Sequence, residues 1–367
     1  MRRDPDRYRG ALLSRAQWEA LGHHCRDLSG PDFTVVYRGF HTPTDHPASV
    51  NAMAYVLQRH VLPGCVISHT TAALLHGVRL PWTLENGVAF LRPGPGDEGG
   101  ERWNAVPIIP SVRPGLSLRS GAQLPKIHAR IPPSAGKAVR RGVIVHRWKP
   151  GPVQELGELV VSTPEEVLRE LATMIPLYDL VAAVDGVLST TQPVSGVGRS
   201  DIGCHLETQQ GQPGAPLLRA ALVLAREDVR SPGESIMRML ILAAGLSEPD
   251  PNLPVVDPAT GRRRLLDLAW KDVMLALEYD GDGHRTTKDQ WRDDEARRDE
   301  LAALGWTLAR ANGEDARRPL RILLRLARAL RERGAAVPSD DHITGVVAAL
   351  PSRGLTLQLA RRQPRYR

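Results

Sequence analysis

The clearest pattern in the chain runs from Leu265 to Asp280, where LLDLAWKDVMLALEYD alternates between two sets of side chains. A two-residue turn at Lys271 and Asp272 makes this a pair of antiparallel strands. Leu266, Leu268, Trp270, Val273, Leu275, Leu277 and Tyr279 then share one apolar face. The opposite face carries Leu265, Asp267, Ala269, Met274, Ala276, Glu278 and Asp280. In that register Asp267 lies across from Ala276 and diagonal to Glu278, roughly 7 to 8 Å away. Acids near strand ends are commonly just solvated. Two that close on a largely apolar surface repel each other, and a hard, oxygen-seeking cation relieves them.

Around this hairpin the periodicity changes to helical. Ser231 and Pro232 open an amphipathic helix through Ile236, Leu240, Ala243 and Ala244, with Glu234 placed either as a capping partner or as a third acid near the hairpin. After Asp280 the run GDGHR brings His284 to the same end of the strands. Thr287 and Gln290 cap a charged helix that ends before Gly305. WTLARAN follows as a strand carrying Arg310, either a charge stabiliser beside the acids or a partner of a nearby carboxylate. The next helix sets Leu320, Leu323, Leu324 and Leu330 on one side and a row of arginines, Arg321, Arg325 and Arg328, on the other. Such a row is either a solvated face or a track for phosphates.

Upstream, SRAQWEALG reads as a helix, FTVVYRG as a strand and VNAMAYVLQRHV as a helix. VISHTTAALLHGVRLP gives a strand end and a helix capped by Ser68 or Thr70 and stopped at Gly77. His69 and His76, seven apart on this short helix, read as packing or helix-end residues rather than metal ligands. KIHARI and GVIVHRW flank AGKAVRRG, so that Lys137, Arg140 and Arg141 form a basic hairpin able to lie on a phosphate backbone, or an ordinary solvated turn. STPEEVLRELATM is a capped helix and LYDLVAAVDGVL a second one. Residues 189–216 read as a polar, glycine-rich connection, and residues 335–367 as a weakly ordered basic tail.

Composition narrows the function only a little. A net charge of +7 and a pI near 9.6 permit a nucleic-acid partner without requiring one. Cys25, Cys65 and Cys204 are far apart, which argues against a zinc ribbon or a disulfide framework and fits a reducing cytoplasm. No apolar run reaches membrane-spanning length, and MRRDPDRYRG lacks the apolar stretch of a signal peptide, so a soluble cytoplasmic protein with no membrane partner is expected.

The order GES at Gly233 to Ser235, then LLDLAW, LEYDGDGHR and WRDDEARRDELAALGWTLAR, resembles the very-short-patch-repair (Vsr-like) branch of the PD-(D/E)XK nuclease superfamily, over Ser231 to Arg333. The resemblance implies an α/β restriction-endonuclease-like core, a mixed sheet flanked by helices. It makes Asp267 the acid of the second core strand, Glu278 that of the third, Glu234 the helix glutamate and His284 the histidine after the third strand. The lysine of the usual E-x-K is Asp280 here, and the Vsr-like branch also lacks that lysine. SHTTAALLHG, the pair ending in HRW, STPEEVLREL and DLVAAVDGVL resemble the AbiEi-type antitoxin-like α+β region found ahead of such cores, over Ser14 to Leu188, without a recognisable recognition helix.

The organisation expected is thus an antitoxin-like domain at 1–188, a linker at 189–216, a nuclease-like domain at 217–334 and the tail. The function expected is metal-dependent hydrolysis of DNA, with Asp267 and Glu278 holding Mg²⁺ or Mn²⁺, Glu234 aligning a second ion or water, and His284 moving a proton. The alternative is a non-catalytic DNA-binding regulator or antitoxin, with a toxin partner that the sequence does not specify.

Overall fold

The computed structural model describes residues 8, 10–45, 47–80, 126–135, 142–147, 151–189, 196–258, 260–280 and 295–350, with the backbone of 89–90, 107–108 and 288–294. His284, Lys137, Arg140 and Arg141, and the tail beyond residue 350, lie outside the described residues. The chain divides into two compact units, Met1–Glu170 and Leu171–Arg367. Both mix helices with sheets, an α/β architecture.

The first unit begins with β1 (Leu13–Ser14), α1 (Arg15–Ala20), β2 (Phe33–Tyr37) and β3 (Phe40–Pro43), whose strands form a three-stranded antiparallel sheet. After α2 (Val50–Val56) come β4 (Val66–Ile67), α3 (His69–His76), and a short pair of β5 (Ala89–Phe90) with β6 (Pro107–Ile108). Then follow β7 (Ile127–Ile131), β8 (Val143–Arg147), β9 (Val153–Leu156), β10 (Leu159–Ser162) and α4 (Pro164–Leu171). The five-stranded sheet has the order β8-β7-β4-β10-β9. β7 is buried at all five positions, whereas β8 at the edge is half-buried.

KIHARI and GVIVHRW are not a hairpin. β7 and β8 run parallel, with Ile127 beside Val143 and Arg130 beside His146. A tight two-residue turn would have made the pair antiparallel.

The second unit opens with a layer of helices: α5 (Leu177–Leu188), α6 (Arg199–Thr208), α7 (Ala215–Leu224) and α8 (Pro232–Ala243). A meander of β11 (Asp250–Val256), β12 (Arg263–Trp270) and β13 (Leu275–Asp280) follows, then α9 (Lys288–Ala303) and β14 (Thr307–Asn312), which pairs parallel to β13. The sheet order is β11-β12-β13-β14. α10 (Gly313–Arg317), α11 (Leu320–Glu332) and α12 (Asp340–Ala349) complete the unit. One core joins Met237 and Ile241 to Leu268, Trp270, Leu275 and Leu277 and to Leu323, Leu326 and Leu330. A second, on Leu266, Ala269 and Ala276, takes Leu301 and Trp306.

Three expected boundaries shift for a packing reason. α5, assigned from sequence to the first domain, belongs to the second unit, where it packs on α7 and α8. Asp185 of α5 and Arg238 of α8 are both fully buried and pair at 3.1 Å, while Ser235 Oγ donates to the same carboxylate oxygen at 2.7 Å. The backbone N–H of Arg226 donates to its other oxygen at 2.7 Å. The expected linker contains α6, which buries Ile202, His205 and Leu206. In the expected tail, Ser339 caps α12, which buries Ile343 in the core against α11.

Candidate functional site

The hairpin register differs from the simple one by two residues. The turn is a short 3₁₀ run, Lys271–Val273, followed by Met274 in the left-handed region at φ 51°. Trp270 therefore pairs with Leu275 and Leu268 with Leu277. A shift of two keeps each side chain on its own face. It nevertheless moves Asp267 from diagonal to opposite Glu278, one step beyond the last paired residues. Alternation also breaks at Asp267: Leu268 packs in one core and Leu266 in the other. On the neighbouring strand Asn252 takes φ 49°, and Pro251 and Leu253 pair around it with Leu268 and Leu266. The ladder thus opens beside Asp267, and Tyr279 uses its backbone N–H to donate to Asp267 Oδ2 at 2.8 Å.

Glu234 reaches this opening from the first turn of α8. Gly233 makes the approach possible, since a Cβ there would fall 2.0 Å from the Tyr279 ring. Ser231 Oγ accepts from the Glu234 N–H at 3.2 Å, a true N-cap. The reciprocal bond of a capping box is replaced. Glu234 Oε2 instead accepts from the Arg230 N–H at 3.0 Å and from Asn252 Nδ2 at 2.9 Å. The buried glutamate is thereby aimed by two neighbours rather than folded back on its own helix.

Burial and crowding raise both hairpin acids. Desolvation, then the Glu234 charge, pushes Asp267 up to about 6 despite the Tyr279 bond. Desolvation, then Asp267, pushes Glu278 up to about 7, opposed by Arg297 and Arg310. Arg310 is the register partner of Glu278 on β14, so the expected neighbour is at the site. Its carbonyl accepts from Arg325 Nη2 at 2.6 Å.

Arg297 is the residue that the sequence reading missed. From α9 its Nη2 lies 3.0 Å from Glu278 Oε1 and 2.9 Å from Oε2, and it donates to the Leu265 carbonyl at 2.6 Å. It supplies a cation directly at the Glu278 carboxylate. Nothing local in WRDDEARRDELAAL separates it from the other arginines of that helix; only its height above Glu278 does.

A hard divalent ion suits these oxygen donors, because two desolvated, mutually repelling carboxylates with a third nearby lack charge compensation beyond the arginines. Among the described residues no three of these acids bring oxygens within 4.8 Å of one another, so a shared ion needs side-chain adjustment. Arg321 and Arg328 lie on the exposed face of α11, beside Asp315 and Glu332 respectively. Among the described residues no helix is long and apolar enough to cross a membrane.

No known protein family matches the chain, and no solved structure matches it. The chain is similar to two curated Mycobacterium tuberculosis proteins, "Uncharacterized protein MT2308" (strain CDC 1551 / Oshkosh) and "Uncharacterized protein Rv2248" (strain ATCC 25618 / H37Rv). Each is 28% identical over 191 residues, covering 52% of this chain and 68% of the relative.

Proposed function

We propose that the second unit is a Vsr-like nuclease domain of the PD-(D/E)XK type that hydrolyses DNA phosphodiester bonds with Mg²⁺ or Mn²⁺. The observation that carries this reading is the opposition of Asp267 and Glu278 at the opened end of the hairpin, with Glu234 beside them. The order helix, two antiparallel strands, helix, strand, in a mixed sheet flanked by helices, supports that reading. Asp267 and Glu278 would hold the ion, whose chemistry is to activate water and offset charge on the phosphate. Asn252 and the Arg230 N–H aim the Glu234 carboxylate. Arg297 pairs with Glu278 in the resting protein and would meet a phosphate oxygen once that acid holds an ion. His284 is proposed as the proton-moving group on the strength of the sequence alone.

The Arg297–Glu278 pair also favours a second reading, a DNA-binding regulator or antitoxin-like protein in which Glu278 stays paired with Arg297. Purified protein on single-stranded, nicked and mismatched duplex DNA, with Mg²⁺, Mn²⁺ or EDTA, separates the two. Metal-dependent cleavage lost in Asp267→Ala and Glu278→Ala supports the nuclease. Binding without cleavage under every condition supports the regulator.

A further inference from the structure

A different cluster lies in the first unit, built from three elements distant in sequence. His69 is the first residue of α3, His128 sits on β7 and His146 on β8. One ligand nitrogen from each lies within 4.8 Å of the others. His128 Nδ1 and His146 Nε2 are 2.9 Å apart, and the rings of His69 and His146 stack with centroids 3.4 Å apart. Parallel pairing of β7 and β8 creates this: His128 is next to Ile144 and His146 next to Arg130, two residues along, on one face.

The surroundings fix the rings from behind. The His69 N–H donates to Glu170 Oε2 at 2.7 Å, and His69 Nδ1 lies 3.0 Å from Ser68 Oγ and 3.7 Å from that carboxylate. Glu170 is itself held by Ser162 Oγ at 3.1 Å and by Arg130 at 3.3 Å. Ser68 thus occupies the N-cap position without bonding the helix backbone, its hydroxyl being turned to the histidine. His69 takes φ 51°, a conformation that costs a non-glycine residue energy and persists only where the surroundings impose it. The Thr71 hydroxyl accepts from the His128 N–H at 2.9 Å, pinning α3 to β7. A carboxylate and a hydroxyl behind a histidine are what orient imidazoles at metal centres.

We propose that His69, His128 and His146 bind one transition-metal ion of the zinc class, at a site separate from the acidic cluster and independent of the nuclease reading. Three imidazoles with no carboxylate or thiolate suit Zn²⁺, Co²⁺ or Ni²⁺ and not Mg²⁺. With Nδ1 of His69 turned to Ser68 and Glu170, Nε2 is its ligand atom. Burial keeps the rings neutral, His69 being pushed down to about 2 and His128 to about 4, and a neutral ring is the form that ligates. Glu166 and Glu170, already paired with Arg130 and Arg169, sit in the next layer out. Tetrahedral bonds of about 2.1 Å need nitrogens roughly 3.4 Å apart, so the stacked rings of His69 and His146 must tilt toward one point. Three protein ligands leave a fourth position for water or an anion.

The test uses the full chain, stripped with a chelator and dialysed, then titrated with Co²⁺ and with Zn²⁺. One ion per chain is expected at nitrogen ligands, with a Co²⁺ visible spectrum of low-coordinate nitrogen ligation. His146→Gln and His128→Gln, checked for fold by circular dichroism, should weaken binding by about 100-fold or more. His60→Gln, outside the cluster, should bind as wild type. If the ligand variants fail to fold, the wild-type Co²⁺ spectrum decides alone. A wild type that takes up neither metal, or folded His128→Gln and His146→Gln proteins that bind unchanged, overturns the site.

Discussion

Asp267 stands opposite Glu278 across the hairpin, and the backbone N–H that would continue the ladder, that of Tyr279, is donated to the Asp267 carboxylate at 2.8 Å. The strand pair ends in two acids because the sheet gives up a backbone bond to hold one of them.

Directly opposite strand residues have Cβ atoms about 5 Å apart, and two charges at about that separation repel by roughly 3 kcal/mol at an effective dielectric near 20, before solvent screening. Asp267→Asn keeps an oxygen for the Tyr279 N–H and removes the repulsion. In EDTA the variant should melt higher than wild type. Added Mg²⁺ should raise the wild-type Tm and raise the variant's less. A wild type blind to Mg²⁺ and Mn²⁺, with a destabilised variant, leaves the regulator reading.

The pH dependence follows from the same carboxylates. Asp267, raised to about 6, Glu278, raised to about 7, and Asp179, raised to about 7 by burial, all bind protons more tightly folded than unfolded. Their favourable contribution is therefore complete below the unfolded carboxylate range and is lost as pH rises through 6 to 7. Urea unfolding in EDTA should give lower stability at pH 8 than at pH 5.5, and Asp267→Asn should flatten the difference. Glu300 works the other way: Arg264 and Arg262 hold it below its usual value, so its contribution fades only at more acidic pH.

Gly233 is required by contact, not by turn geometry. A methyl at Gly233 would strike the Tyr279 ring, so Gly233→Ala should cost about 1–3 kcal/mol and move Glu234 from the acids. Combining it with Tyr279→Leu should recover part of the loss, a non-additivity that urea melts of the two single variants and the double variant would reveal.

The buried Asp185–Arg238 pair fastens α5 to α8. Asp185→Ala leaves an unpaired buried guanidinium and should destabilise by about 3–5 kcal/mol, whereas replacing both residues with apolar ones of similar volume should cost less. Equal losses in chemical denaturation would show that the pair is not what holds these helices.

Much of the second unit was legible because its signals are local. Period-two alternation located β12 and β13, and Ser231 and Pro232 marked the start of α8. The register was missed because Met274, not glycine, takes the left-handed position that lengthens the turn. Arg297 was missed because its role depends on where a crossover helix lies. The histidine cluster was illegible for a stronger reason: its members come from positions 69, 128 and 146, joined only by long-range parallel pairing. The spacing of His69 and His76 was read as packing. That holds for His76, whose Nε2 meets the Ser162 carbonyl at 2.8 Å, while His69 turns to the cluster.

The most direct measurement is cleavage of a nicked or mismatched duplex by wild type, Asp267→Ala and Glu278→Ala, with DNA affinity measured in parallel. The nuclease reading predicts cleavage by wild type only with Mg²⁺ or Mn²⁺, and two variants that bind DNA at least as tightly yet do not cut. Cleavage unchanged in both variants, or none by wild type with either metal, would contradict it.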